Sequence, residues 1–379
     1  MRIALLQPCY WPEVRRGTER LVHDLGVVLA GRGHEVTLIT SHPGRTSRKV
    51  EEGVEIVRVR RPPSFPPLRW YEDHLNSVPG AMLALLRGRF DVAHAFHPAY
   101  AWGAAKARRA GGPPFVFSFH GIPERRYLVQ RRYRLEMIKL AISEAERVTV
   151  LSHAAATPFR RYLLAEPEVL PGGVFCEDFK VAVGRAATPT LVCAASLGDP
   201  RKRADLLFAA FAELRSRRPD VTLRVVRAHD PFLSADPPAL PEGAEWVHAD
   251  SAAALAGEYA SAHASVLPSV GEAFGLVALE SLAAGTPVVT GRGGAPTDLV
   301  EEGKTGELFD DDDERSLADA MERALGLGRE DETVAACRTA AASFDWDRLA
   351  APHEEIYAAI GTGPRLRREV SPDGFGRAG

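Results

Sequence analysis

"RIALLQPCYWPEVRRGTERLVHDLGVVLAGRGHEVTLIT", Arg2 to Thr40, decides the fold. Its opening, "RIALLQP", is an apolar run without alternation, which reads as a strand buried on both faces. A polar loop, "CYWPEVRRGTE", follows; "RLVHDLGVVLAGRG" then sets apolar residues at helical spacing, and "EVTLIT" is a second buried run. Strand, helix and strand in that order form a βαβ unit, whose crossover makes the two strands parallel. The layout returns at Thr190: strand "TLVCAAS", loop "LGDPRKR", helix "ADLLFAAFAELRSRRPD", strand "VTLRVVRA". Two such openings predict an α/β protein made of two Rossmann-like parallel-sheet domains in tandem.

Between them, "EVLPGGVFCEDFK" (Glu168 to Lys180) gathers Pro171, Gly172 and Gly173 where the first sheet should end, and marks the linker. The expected domains are residues 1–172 and 173–352. Alternation continues beyond the linker, with strands at Trp246 to His248, Ala264 to Leu267 and Pro287 to Thr290, and helices at Ala253 to Ala262 and Leu276 to Ala284. "SFDWDRLAAPHEEIYAAI" (Ser343 to Ile360) reads as a late amphipathic helix, and residues 366–379, rich in Gly, Pro and Arg, as a disordered tail. Val57 to Asn76, with four prolines among aromatics and arginines, is expected to be neither strand interior nor helix, and to be either a surface excursion or an acceptor-recognition loop at the cleft.

The 379 residues suffice for two domains at roughly 150 residues each, and 45% hydrophobic content can fill two cores. A net charge of −3, from 47 basic and 50 acidic residues, creates no global field to recruit nucleic acid, so any anion site is local. Cys9, Cys176, Cys193 and Cys337 lie far apart without CxxC spacing, which suits a reducing cytosol. No apolar run is long enough for a signal peptide or a membrane span. The basic, aromatic stretch Glu124 to Leu140 suggests peripheral contact with an anionic membrane; its apolar residues Leu128, Leu135 and Ile138 suit a core equally well.

In an open α/β sheet the ligand lies beyond the carboxyl ends of the strands, so the loops just after each strand are the candidates for chemistry. In "RRGTE", Gly17 permits close backbone approach at a helix start. "FVFSFHGIPE" ends its strand in His120-Gly121, facing the cleft. "SLGDPRKRADLL" places Arg201, Lys202 and Arg203 just before a helix N-terminus, where cations oppose the macrodipole unless an anion such as a diphosphate is bound between them. "GEAFGLVALESLAAGTPVV" carries Glu272 and Glu280 around the turn Phe274-Gly275-Leu276. Burying Glu280 inside so apolar a helix would cost several kcal/mol without a partner, and vicinal sugar hydroxyls are good donors to a carboxylate. A nucleoside diphosphate sugar fits this combination, with hydroxyls on the carboxylates and diphosphate on the helix amides and Lys202.

Glu272 and Glu280 have the E-x7-E spacing and surroundings of the retaining glycosyltransferases of the GT-B fold, glycosyltransferase family 4, and "GTE", "GHEVTLIT", His120-Gly121, "RKR", "GGAPTDLVEEGKTGELF" and "WDRLA" also resemble that family in order and spacing. The resemblance implies two domains facing a cleft, with the C-terminal helix crossing back to the N-terminal domain at about residues 353–365. It implies that Glu280 bonds the nucleotide ribose, Glu272 the donor-sugar hydroxyls, and the amides of Phe274, Gly275 and Leu276 the phosphate and sugar. It further implies that Lys202 holds the diphosphate, that Gly17 lets phosphate approach, and that His120 stands beside the transferred sugar. Catalytic roles fall to Glu272, His120 and Lys202.

One departure is Ser196, where similar chains carry an arginine for the leaving diphosphate; Arg201 and Arg203 are candidate replacements. Arg16 stands where a second glycine is common. The expected reaction is transfer of a sugar from a UDP or GDP sugar to a hydroxyl of a small molecule, glycan or lipid, with retention and without a metal cofactor, in the cytoplasm or at the inner face of the membrane. "FDDDDERS" (Phe309 to Ser316) is read as a solvated helix start rather than a metal site. The alternatives are a sugar nucleotide epimerase of the same architecture and a nucleotide-sugar binding protein with impaired catalysis, for which Ser196 is the motive. A nicotinamide dehydrogenase is disfavoured because neither opening loop reads GxGxxG.

Overall fold

Strands at the centre of a sheet covered on both faces should be mostly apolar, and the central strands here are. The computed structural model describes residues 1–63, 74–227, 238–328 and 330–361. In chain order its first sheet contains β1 (Arg2–Leu6), β2 (Glu35–His42), β3 (Ser47–Glu51), β4 (Val54–Arg60), β5 (Val92–Ala95), β6 (Phe115–Phe119), β7 (Arg147–Val150) and β8 (Glu168–Val169). Side by side they run β3-β4-β2-β1-β5-β6-β7-β8, all parallel except β3 against β4. The second sheet contains β9 (Thr190–Cys193), β10 (Thr222–Val226), β11 (Ala244–Val247), β12 (Ala264–Leu267), β13 (Val288–Gly291) and β14 (Gly306–Phe309). Its order is β11-β10-β9-β12-β13-β14, parallel throughout. Every residue of β5, β6, β9, β12, β13 and β14 is buried.

The two-sheet α/β architecture matches the sequence reading. Helices at Gly17–Gly31, Ala204–Arg217, Ala252–Ser261 and Leu276–Ala284 fall where the apolar spacing places them, within a few residues at their ends. The expectation for Val57 to Asn76 needs correction at both ends. Val57 to Arg60 complete β4, whose valines are buried while Arg58 pairs with Glu13 and Arg60 is exposed, and the prolines begin only after the strand has ended. His74–Ser77 forms a short 3-10 turn, and residues 64–73 lie outside the described residues, as does the tail 366–379. The antiparallel β3 is the one exception among the described strands, which are otherwise parallel as expected. It turns into β4 through Glu52 and Gly53, both at positive φ (47° and 79°), a tight hairpin whose backbone twist matches the strands.

Glu124 to Leu140 is two helices, Arg125–Val129 and Arg132–Glu144. Leu128 and Ile138 are buried and Leu135 packs on the same core, while Val129 and Tyr133 are exposed. Among the described residues no helix is long and apolar enough to cross a membrane. All four cysteines are buried and free.

The chain passes between the sheets twice, and the two passages pair. Val174 donates to the Phe344 carbonyl at 3.0 Å, and Trp346 donates back to the Val174 carbonyl at 3.1 Å. Gly173 is there because a Cβ would lie 2.6 Å from the Trp346 ring. From Trp346 the last helix, Trp346–Gly361, returns to the first sheet. Glu354 meets Arg32 and His34, both at 2.9 Å, and the Tyr357 hydroxyl bonds His94 of β5 at 2.6 Å. The expected crossing of the C-terminal helix is therefore present.

Candidate active site

The two glycine-bordered turns that follow β12 and β9 meet, because β12 and β9 are neighbours in the second sheet. After β12 the chain turns at Gly271 (φ 68°) and again at Gly275 (φ 95°), then enters the helix Leu276–Ala284. Both positions are left-handed, where a Cβ is costly, and at Gly275 it would also lie 2.6 Å from Pro296. Gly275 caps the helix without any side-chain acceptor, and the amides of Leu276 and Val277 have no acceptor among the described residues. The site is thus a helix start with open donors and the positive end of its dipole exposed.

Opposite lies the turn after β9. Asp199 caps the short helical turn Pro200–Lys202, and the Val270 amide donates to the Arg201 carbonyl at 3.0 Å, which ties the two turns together. The Lys202 ammonium and the Glu272 carboxylate form an ion pair across them, each side chain about four-fifths buried (18% and 19% exposed). Arg201 bonds Asp199 at 2.6 Å, and Arg203 bonds Asp312 at 2.5 Å. The two candidate replacements for the arginine missing at Ser196 are therefore both engaged by protein carboxylates. Ser196 itself is half-buried, and its carbonyl accepts from the Asp199 amide.

Glu280 is 6% exposed. Burial pushes its carboxyl up to about 7; the Arg20 guanidinium opposes the rise, the Asp24 carboxylate adds to it, and the Tyr259 hydroxyl favours the ionised form. Arg20 is itself buried, bonded to Asp24 at 2.7 Å and 3.0 Å and lying over the Trp11 ring. A residue of the first helix in the chain therefore helps set the charge state of a carboxylate beside the second sheet. Apolar packing runs the same way, since a Cβ at Gly172 would touch both Leu21 (2.7 Å) and Phe274 (3.3 Å).

Three further approaches bring the first sheet to this place. The Ser152 hydroxyl donates to the Ala273 carbonyl at 2.7 Å, and Arg15 approaches Asp250 at 3.7 Å. The Glu124 carboxylate lies 3.9 Å from where a Cβ at Gly271 would stand. Gly17 begins the helix Gly17–Gly31 with no side-chain cap before it, and the space where its Cβ would be is empty for 4 Å. His120 follows β6 and packs against Phe96, its Nδ1 buried without a protein partner, and burial together with His353 lowers its pKa to about 3. The imidazole is therefore neutral near pH 7.

Two family models match the chain in succession, Glycosyltransferase Family 4 over residues 15–178 and Glycosyl transferases group 1 over residues 188–326. The chain belongs to glycosyltransferase family 4. Among curated relatives, this glycosyltransferase is 28% identical to a D-inositol 3-phosphate glycosyltransferase of Arthrobacter sp. (strain FB24), over 90% of each chain. It is 29% identical to an MMP alpha-(1->4)-mannosyltransferase of Mycolicibacterium hassiacum, over 73% of this chain and 72% of that one. Among solved structures, it superposes on sucrose-phosphate synthase from Thermosynechococcus elongatus with a TM-score of 0.80 and 22% identity, over 95% of this chain and 98% of that one. HepE of Anabaena in complex with UDP and glucose gives a TM-score of 0.74 and 18% identity, over 95% and 100%. These likenesses show the GT-B fold.

The candidate site also draws in residues that sequence reading passes over: Arg20, Asp24, Ser152 and Tyr259. Arg20 and Asp24 carry a signal, an ion pair at i, i+4 on a helix face that should be apolar. Tyr259 carries none, being one more apolar-face residue of the helix Ala252–Ser261. "FDDDDERS" is the expected helix start, with Asp313 accepting from the Ser316 amide at 3.0 Å.

Proposed function

We propose that this glycosyltransferase transfers a hexose-like group from a UDP or GDP sugar to an acceptor hydroxyl with retention at the anomeric carbon. The observation that carries the reading is the open helix start at Leu276, flanked by Lys202 on one side and by the buried Glu280 on the other. In this reading the amides of Phe274, Gly275 and Leu276 and the ammonium of Lys202 neutralise the leaving diphosphate, a role that elsewhere falls to a metal ion. Glu280 accepts from the ribose hydroxyls and Glu272 from the donor sugar. His120, neutral and at the tip of β6, offers a hydrogen bond to the transferred sugar, and Gly17 lets phosphate come close to the first helix. Residues 1–172 bind the acceptor and residues 173–352 the donor. A polyol acceptor has support in the relative named for D-inositol 3-phosphate, and a hexose donor in the one named for mannosyl transfer.

A thermal-shift screen against UDP, GDP, ADP and dTDP sugars tests this. One nucleotide class should raise the melting temperature, E280A should abolish the rise, and D312A should preserve it. No rise with any of them, or the reverse pattern in the variants, refutes the reading.

A second reading, binding of a nucleotide sugar without turnover, has one observation in its favour. Arg201 and Arg203, the candidate replacements for the arginine absent at Ser196, are paired with Asp199 and Asp312. A stable complex with no release of nucleotide diphosphate on any acceptor would select it.

A further inference from the structure

Lys202 and Glu272 come from different turns, and each is the other's partner. The Val270–Arg201 backbone bond holds the turns in register, and Gly271 at φ 68° swings Glu272 toward the lysine. Both side chains are mostly out of water, so separating them strands two charges unless each finds a new partner. On the reading given above, a diphosphate would take Lys202. Glu272 would then face an anion with its cation gone, and only hydroxyl donors could compensate it. An intact donor brings such hydroxyls on its sugar; the spent nucleotide does not.

We propose that the Lys202–Glu272 ion pair discriminates intact donor from spent nucleotide: both ends of the pair are exchanged when the donor binds, whereas the free nucleoside diphosphate must break the pair and leave Glu272 uncompensated. The pair thus favours release of product. No covalent bond is involved, and the Lys202 ammonium exchanges the Glu272 carboxylate for the diphosphate. This inference rests on the proposed donor site.

The test is calorimetric titration of wild type, E272Q, E272D and K202Q with whichever of UDP, GDP, ADP and dTDP the wild type binds, and with its glucose and mannose conjugates. E272Q removes the competing anion and should tighten the free nucleotide by about three- to tenfold while narrowing its disadvantage against the conjugates. E272D, which draws the charge back by one methylene, should do the same to a smaller degree and serves where E272Q does not fold. K202Q should weaken nucleotide and conjugates alike. If the free nucleotide binds wild type but is not tightened in either Glu272 variant, the exchange is wrong and the donor site stands. If none of the four nucleotides binds wild type, the donor site itself is wrong and the exchange falls with it.

Discussion

The Ser152 hydroxyl and the Ala273 carbonyl, 2.7 Å apart, join the two halves of the protein within the turn that leads into the helix of Glu280. Ser152 performs two tasks with one oxygen, since it also accepts from the Ala155 amide as the cap of the helix His153–Leu163. The turn before Glu280 is therefore held from the first sheet.

S152A removes the cap and the clasp together and should destabilise the protein by about 1–2 kcal/mol, read as a lower denaturation midpoint. S152T should retain most of both. Equal midpoints for S152A and wild type would show that the clasp is not made in solution.

Nucleotide affinity should depend on pH through Glu280. Its carboxyl, raised to about 7 by burial, against Arg20 and with Asp24, is the acceptor of the ribose hydroxyls only when ionised. Binding should strengthen as pH rises from about 6 to 8 and then level, with proton release on binding below the midpoint. Stability runs the other way: the folded state holds this proton more tightly than the unfolded chain, so the group's contribution is full below the unfolded value of 4.5 and is lost as pH rises through about 7. E280Q should flatten the affinity profile, and a wild-type profile that is flat from pH 6 to 8 would contradict the assignment.

R20M leaves Asp24 buried with His23 as its remaining bonded partner among the described residues and removes the positive charge that restrains Glu280. A loss of about 3–5 kcal/mol in stability is expected, partly recovered in R20M/D24N. In the double variant the nucleotide-affinity midpoint should move to higher pH than in wild type; an unmoved midpoint would separate Arg20 from Glu280.

Y357F deletes the hydroxyl that meets His94 at 2.6 Å and leaves a buried ring nitrogen without that partner. The return of the last helix to the first sheet should weaken by about 1–3 kcal/mol, seen in urea unfolding, with nucleotide affinity unchanged. A large loss of nucleotide affinity would instead tie the crossing helix to the site.

G275A should fold poorly or lose nucleotide binding, because alanine at φ 95° is strained and its Cβ meets Pro296. A melting temperature and a nucleotide affinity both equal to wild type would show that the turn tolerates a side chain.

How much of this is legible beforehand differs by level. The two sheets are, because buried parallel strands are apolar runs and their crossovers are amphipathic helices, so local patterns report the topology. β3 is not, since an edge hairpin with mostly exposed residues leaves no such pattern. Val57 to Arg60 are hidden as strand because the prolines that follow them make the whole stretch look like a loop.

The site divides in the same way. Chain order alone put Glu272, Gly275 and Glu280 on one turn and helix, and Lys202 on another, since those spacings are local. Which cation meets which carboxylate depended on the packing of β9 beside β12 and of the first helix against the second sheet. Lys202 on Glu272, Arg203 on Asp312 and Arg20 near Glu280 were therefore decided only by the tertiary structure. The physical reason is that a strand or helix is specified by neighbours a few residues away, whereas an ion pair or a shifted carboxyl depends on distance and burial between segments far apart in the chain, which no periodicity records.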